Sequence, residues 1–248
     1  MSLGTAVILA AGMGTRLRDS HSDMPKGFLK LGHKPIISES IDRLRAAGID
    51  KIIIVTGYLA DFYEELSSTD ENITTVHNSA YAKSGSMYSL WCARDQIHGG
   101  FLLLESDLIY EQRALEVLIN GPDEAILLSG KTNSGDEVYV QTKDDVLNGN
   151  LYNMSKDLDV FSSDPSGELV GITRISPALF RFMLEYAERE FNQDNLRVDY
   201  ETDALVYAGR KMSIMCPVID DLVWAEIDDS EHLERAQFTV YPKLAGLA

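Results

Sequence analysis

The chain is poor in the residues that mark several common protein classes. It has two cysteines in 248 residues, Cys92 and Cys216, far apart and without CxxC spacing. Neither a disulfide framework nor a zinc site is indicated, and both are expected as buried thiols. The five histidines (His21, His33, His77, His98, His232) show no paired metal-ligand spacing and read as structural or surface residues. No run approaches the roughly 18 consecutive apolar residues of a membrane-spanning helix, so no membrane association is expected. The apolar stretch 6–11 has no basic residue before it and runs straight into glycines, which reads as a core strand rather than a secretory leader. A cytoplasmic protein is the expectation. Basic side chains are scarce, 22 against 39 acidic ones for a formal charge of −17, so no basic excess exists to replace the counterions of a nucleic acid.

What is present is ordinary globular material, 45% hydrophobic and 25% charged, without repeats, low-complexity tracts or a long linker. A single domain spanning 1–248 is expected. The charge is unevenly spread. Residues 1–51 carry eight basic against five acidic side chains, which leaves the remainder at −20 and suits a small polyanion bound near the N-terminal segment.

Periodicity gives the order of elements. Residues 5–11 read as a buried strand followed by a loop through Lys30, and Pro35 opens a helix with Ile37, Ile41 and Leu44 on one face and Gly48 at its end. Strands are expected at 51–56, 73–77 and 101–105, with helices at 59–66 and 86–97 between them. This alternation predicts an α/β fold with a mainly parallel sheet flanked by helices on both faces. After Gly121 the pattern changes to strands at 124–129, 137–142 and 169–176 with turn-rich connections. Helices at 177–190 and 202–211, a strand at 222–227 and a helix around Leu233 follow, and 241–248 carries no clear element. The expected division falls near residue 120, with a small β-rich half at about 121–248.

The first strand delivers Gly12-Met13-Gly14-Thr15, a turn whose backbone N–H groups suit phosphate oxygens. A dinucleotide GxGxxG would need glycine where Leu17 stands, and the stretch Gly27–Gly32 followed by His33-Lys34 does not match a P-loop. The longer pattern, Leu9-Ala10-Ala11-Gly12-x-Gly14-Thr15-Arg16-Leu17 followed by Pro25-Lys26, Leu29 and Pro35, resembles the signature of the nucleotidyltransferases that activate sugar phosphates and related acceptors. That resemblance implies the Rossmann-like, mixed, mainly parallel nucleotide-diphospho-sugar transferase type of fold, with a nucleotide-binding half at about 1–120 and an acceptor-binding half at about 121–248. It also implies that residues 10–16 and Lys26 bind a triphosphate, with Arg16 and Lys26 as its cationic partners.

Attack on an α-phosphorus needs charge neutralisation and in-line positioning more than a base, because a phosphate or phosphonate acceptor is already anionic. Mg²⁺ takes oxygen ligands and often only one or two carboxylates. Asp107, just past the strand at 101–104, stands where open α/β sheets bind ligands. Asp228, after Glu226-Ile227, is the second candidate, and the family pattern matches both. Either alone reads equally well as a helix cap; beside the glycine loop they read as metal ligands.

Within the family the closer likeness is to the small cytidylyltransferases acting on 2-aminoethylphosphonate or phosphocholine. Asn78-Ser-Ala-Tyr81, Met87-Tyr88-Ser89-Leu90 and Val198-Asp199 with Asp203 carry that likeness. It implies CTP as donor and makes Gly85, Ser86 and Ser89 base-contact candidates. For the acceptor, a trimethylammonium asks for an aromatic cage and a primary ammonium for carboxylates. Asp136, Glu137, Asp199, Glu201 and Asp203, with Tyr139 and Tyr200 nearby, are the acceptor candidates, and Glu137, at a strand start where the similar choline enzymes carry an aromatic, tilts the expectation to a primary amine such as 2-aminoethylphosphonate. Phosphocholine, a sugar 1-phosphate, an inositol phosphate and a catalytically silent nucleotide-binding module are the alternatives.

Overall fold

Thr5–Ala10 (β1) alternates strictly: Val7 and Leu9 enter one core cluster while Ala6, Ile8 and Ala10 enter another. Lys51–Thr56 (β2) and Phe101–Glu105 (β4) divide the same way, Ile53 and Leu103 to one side and Ile54 and Leu104 to the other. A strand apolar on both faces must be covered on both, and parallel strands joined by crossover helices provide that. A computed structural model describes residues 3–17, 23–143 and 148–247. His21, part of the loop expected before Lys30, and Ala248 lie outside the described residues.

Among the described residues the main sheet has nine strands, seven of them in the order β10-β6-β9-β4-β1-β2-β3. The remaining elements of that path are Ile73–His77 (β3), Ala125–Ser129 (β6), Gly167–Ile175 (β9) and Val218–Ile219 (β10). β1 to β4 are mutually parallel, whereas β9 runs antiparallel to both β4 and β6. The hairpin of Tyr139–Thr142 (β7) and Leu151–Ser155 (β8) branches off β9. Ile36–Ala46 (α1) and Arg113–Asn120 (α4) cover one face, and Ser86–Cys92 (α3) and Pro177–Phe191 (α5) the other. The fold is therefore the mainly parallel α/β arrangement that the alternation predicts, in the mixed form that the resemblance implies.

α1 starts after Pro35 and stops before Gly48, whose φ of +81° suits a residue without a side chain. The helix expected at 59–66 is Asp61–Thr69 (α2). The long helix expected at 86–97 ends at Cys92 and is followed by a 3₁₀ turn, Arg94–Gln96. The stretch 202–211 is a wide π-helical turn, Tyr200–Leu205, running into Val206–Gly209 (α6). Four strands and helices were not foreseen: Leu108–Tyr110 (β5), α4, β8 and β10. β5 pairs antiparallel with Trp224–Glu226 (β11) in a separate two-stranded sheet. The tail expected to lack structure forms a helix at Tyr241–Ala245 (α8), after Ser230–Arg235 (α7) and a π-helical turn at Ala236–Val240. Pro242 sits in its first turn, where a missing N–H costs nothing, and Leu244 is buried. Cys216 is buried as expected, but Cys92 is half-buried.

α8 belongs to a third core cluster that joins Leu17 and Leu29 to Ile227, Val240 and Leu244. The C-terminal helices thus underpin the loop that follows β1. β1 lies between β2 and β4, so the chain departs to one side and later returns on the other, and a crevice opens at the carboxyl ends of β1 and β4.

Candidate active site

The loop after β1 occupies that crevice. Ala10 and Ala11 are buried, and Gly12 is exposed with nothing within 4 Å of where a Cβ would stand. Gly14 has φ +56°, a conformation that side chains resist, and its carbonyl accepts from Leu17 N at 3.0 Å, closing the turn Thr15–Leu17. The two glycines serve different ends: Gly14 makes the turn, and Gly12 leaves room above it.

Asp107 and Asp228 come together through backbone pairing. In the β5–β11 ladder Leu108 stands opposite Glu226, and Ile227 N donates to the Asp107 carbonyl at 3.2 Å. Lys26 lies between the two carboxylates, its Nζ 2.8 Å from Asp107 Oδ2 and 2.5 Å from Asp228 Oδ1. Gly27 allows this approach, because a Cβ there would stand 2.9 Å from Tyr63 Oη and 3.1 Å from the Ser106 carbonyl. Burial disfavours the Lys26 charge, yet the attraction of Asp107 and Asp228 outweighs it and raises its pKa. The ion pairs continue outward. Arg16 bonds Asp228 Oδ2 at 2.8 Å and Asp136 Oδ2 at 2.7 Å, and Lys156 bonds Asp136 Oδ1 at 2.7 Å. For Asp136 burial opposes ionisation, but the hydrogen bonds from Arg16 and Lys156 win and lower its pKa to about 2.

Two cavities meet here. The first, about 200 Å³, is lined by Ala10, Ala11, Gly12 and Gly14 of the loop and by Lys26, Asp107 and Asp228. Gly85, Ser86 and Ser89 line its far side. Met13, Thr15 and Arg16 belong to the loop but not to this lining. The second cavity, about 80 Å³, is lined by Glu137 and Glu201. Tyr139, Asp199 and Asp203 line neither cavity.

Those three have local partners instead. Asp203 Oδ2 accepts from Asp199 N at 2.9 Å, Asp199 Oδ1 accepts from Ser86 Oγ at 3.2 Å, and the Tyr139 hydroxyl donates to Glu137 at 3.4 Å. Ser86 Oγ also accepts from Tyr200 N at 3.0 Å, so it ties the start of α3 to the π-helical turn. Ser89 is fixed by Asn78, whose Nδ2 reaches Ser89 Oγ and Ser84 Oγ, each at 3.0 Å.

Glu105 and Glu226 are the site residues that the sequence reading passed over, and they line both cavities. A signal was available: each lies two residues before one of the aspartates, and a strand period of two puts 105 with 107 and 226 with 228. One oxygen each of Glu105, Asp107 and Glu226 lie within 4.8 Å of one another. Burial, then mutual repulsion with Glu201 and Asp107, raises Glu105 well above the usual carboxylate range, and burial with Asp107 and Asp228 does the same for Glu226. Burial also lifts Glu201, to about 7. Asp107 Oδ1 is buried without a hydrogen-bond partner, which leaves an acceptor for a cation. An all-oxygen donor set of this kind suits a hard divalent ion.

Comparison with known proteins places this geometry in a family. The model of the MobA-like NTP transferase domain matches residues 6–148, and the chain belongs to that family of nucleotidyltransferases. The match covers the glycine loop, Lys26 and Asp107; Glu226 and Asp228 lie beyond it. The CTP:phosphoglutamine cytidylyltransferase of Campylobacter jejuni is 26% identical over 247 residues, 92% of this chain and 97% of that one. The 2-aminoethylphosphonate cytidylyltransferase of Lancefieldella rimae is 30% identical over 105 residues, 42% of this chain and 43% of that one. A solved CTP:phosphocholine cytidylyltransferase from Streptococcus pneumoniae shares the fold, with TM-score 0.76 and 18% identity over 96% of this chain and 98% of that one. No helix among the described residues is long and apolar enough to cross a membrane.

Proposed function

We propose that the protein transfers CMP from CTP to a small amine-bearing phosphonate or phosphate, with 2-aminoethylphosphonate the favoured acceptor, and releases pyrophosphate. The observation that carries this reading is the convergence of Lys26, Asp107 and Asp228 at the glycine loop, beside an acidic second cavity that shares Glu105 and Glu226 with the first. Relatives that act as cytidylyltransferases on phosphate or phosphonate substrates support it.

In this reading an acceptor oxygen attacks the α-phosphorus, the new P–O bond forms as the α–β bridging bond breaks, and pyrophosphate leaves with the bonding pair. The loop 10–15 cradles the triphosphate with backbone N–H groups. Arg16 and Lys26 exchange their carboxylate partners for phosphate oxygens and offset the charge that builds on the leaving group. Asp107 and Asp228 would hold Mg²⁺, which when bound supplies Lewis-acid stabilisation of the phosphoryl oxygens. Gly85, Ser86 and Ser89 border the base. Glu137 and Glu201 border the acceptor, with Lys156 as a further cation for its anionic end. The nucleotide half at about 1–120 and the acceptor half at about 121–248 each lend residues to the other's cavity, as Asp228 and Glu105 do.

The test is a panel of CTP, UTP, dTTP and ATP against 2-aminoethylphosphonate, phosphocholine, glucose 1-phosphate and inositol 1-phosphate, following pyrophosphate. CTP- and Mg²⁺-dependent release with an aminophosphonate is expected, abolished in Asp107→Ala and lowered about 100-fold or more in kcat in Lys26→Gln. Turnover only with sugar or inositol phosphates moves the protein to the sister branch. CTP binding without turnover across the panel would identify a silent nucleotide-binding module.

A further inference from the structure

The second cavity carries a finer assignment of the acceptor, one that deepens the cytidylyl-transfer reading and rests on it. Its wall holds five carboxylates, Glu105, Asp136, Glu137, Glu201 and Glu226, against two fixed cations, Lys156 and Arg235. Two of the five carboxylates are already matched. Asp136 is taken by Arg16 and Lys156, and Glu137 accepts from the backbone N–H groups of its own loop at Ser134 and Gly135. That leaves Glu105, Glu201 and Glu226, which approach from three separate segments: the end of β4, the π-helical turn after Tyr200, and β11.

A buried acceptor beside them also lacks a partner. His232, 6% exposed, lines the cavity, and its Nε2 lies 3.2 Å from the Ser134 carbonyl. A carbonyl only accepts, so in the neutral ring Nε2 carries the proton and the unpartnered Nδ1 is an orphaned acceptor. A buried acceptor left unpaired is costly, and a ligand rich in donors would satisfy it.

We propose that Glu105, Glu201 and Glu226 form a seat for a primary ammonium group, so that the acceptor binds amine-inward with its phosphonate or phosphate toward Lys26 and Arg16. An –NH₃⁺ head brings three donors and one positive charge, which matches three carboxylates with no paired cation of their own. A trimethylammonium head brings the charge without donors and wants a cage of aromatic faces. Trp224 is the one aromatic side chain in the wall among the described residues, so a cage is missing. The specificity predicted is therefore for the amine's N–H groups as well as for its charge.

The test compares 2-aminoethylphosphonate, its N,N,N-trimethyl analogue and ethylphosphonate in two measurements on the full chain. Turnover with CTP is followed by pyrophosphate release, and binding is followed by calorimetry in the presence of a non-hydrolysable CTP analogue and Mg²⁺. The wild-type protein is expected to prefer the primary amine over both analogues by about 100-fold in Kd and in kcat/KM. Glu201→Gln should weaken 2-aminoethylphosphonate at least about tenfold more than ethylphosphonate, and Glu201→Asp, which keeps the charge, should recover part of the loss. The conservative variant, with the unfolding midpoint of each variant, separates a lost seat from a lost fold. Equal use of amine and des-amino acceptors, or selectivity that survives Glu201→Gln, overturns the seat. A shift in Mg²⁺ dependence in place of acceptor affinity also overturns it, by making the cluster a second cation site. Turnover without amine selectivity removes the seat and keeps the reaction, whereas amine-selective binding without turnover keeps the seat and removes the reaction. Loss of both overturns both.

Discussion

At the scale of single residues, the site is organised as a ladder of alternating charges: Asp107, Lys26, Asp228, Arg16, Asp136 and Lys156. Every cation the proposed chemistry needs is parked on a carboxylate, so an incoming polyanion competes for charges that are already oriented. Asp136 is the outermost carboxylate and touches no nucleotide-cavity wall. Its effect is testable through protons. Its pKa of about 2 lies below the ordinary value near 4, so the ion pairs favour the folded state above pH 4, and that contribution falls away as pH drops towards 2. Arg16 and Lys156 are each about half exposed, so solvent screening limits the contribution to about 1 kcal/mol or less. Asp136→Asn should be less stable than wild type by that amount at pH 7 and at pH 5, and by about half of it at pH 3, in urea unfolding. A difference that stays constant down to pH 3 contradicts the assignment. The same variant removes the Lys156 ion pair and leaves Arg16 on Asp228 alone, so it should lower the KM for an anionic acceptor.

At the scale of elements, the sequence was most readable where one pattern fills a whole segment. β1, β2 and β4 were legible as short unbroken apolar runs, and α1 because its apolar residues repeat at three and four between Pro35 and Gly48. β11 falls within the strand expected at 222–227, but β5 was hard to read, being three residues long and defined only by its pairing with β11. That pairing is what brings Asp107 to Asp228, so the contact between the two was visible only by family likeness. Gly85 shows how a correct location can hide a different cause. The residue borders the first cavity, but a Cβ there would stand 2.4 Å from the Val198 carbonyl oxygen. Gly85 N donates to the Leu196 carbonyl at 2.8 Å and Met87 N to the Val198 carbonyl at 3.0 Å, a short strand-like pairing that fastens the start of α3. Gly85→Ala must push two backbones apart, at about 1–3 kcal/mol. The urea midpoint should fall, and the KM for every nucleotide should rise together. A stable variant whose CTP-over-UTP preference alone changes would instead make Gly85 a base reader.

At the scale of the whole molecule, the nucleotide loop is held from below by the far end of the chain. Leu17 closes the glycine turn and Leu29 follows the Lys26 turn, and both share one apolar cluster with Ile227, Val240 and Leu244. Tyr241 adds a hydrogen bond to Glu39 on α1 at 2.8 Å, and its ring fills the space above Gly32. The tail had no readable period because its helix is a single turn whose apolar residues have meaning only against a loop more than 200 positions earlier. This arrangement predicts that packing at the C-terminal helix tunes triphosphate binding without touching the chemistry. Leu244 is 3% exposed, and Leu244→Ala opens a cavity worth about 2–5 kcal/mol beneath the loop. Amide hydrogen exchange should speed up at Gly14–Leu17 while β1, β2 and β4 keep their protection, because those strands belong to the two larger clusters. The KM for CTP should rise severalfold, with kcat at saturation nearly unchanged, since the loop still adopts its bound form once the triphosphate holds it. If exchange speeds up uniformly across the sheet, the third cluster is continuous with the main core. If the loop's protection stays unchanged, the support lies elsewhere and the C-terminal helix is merely appended.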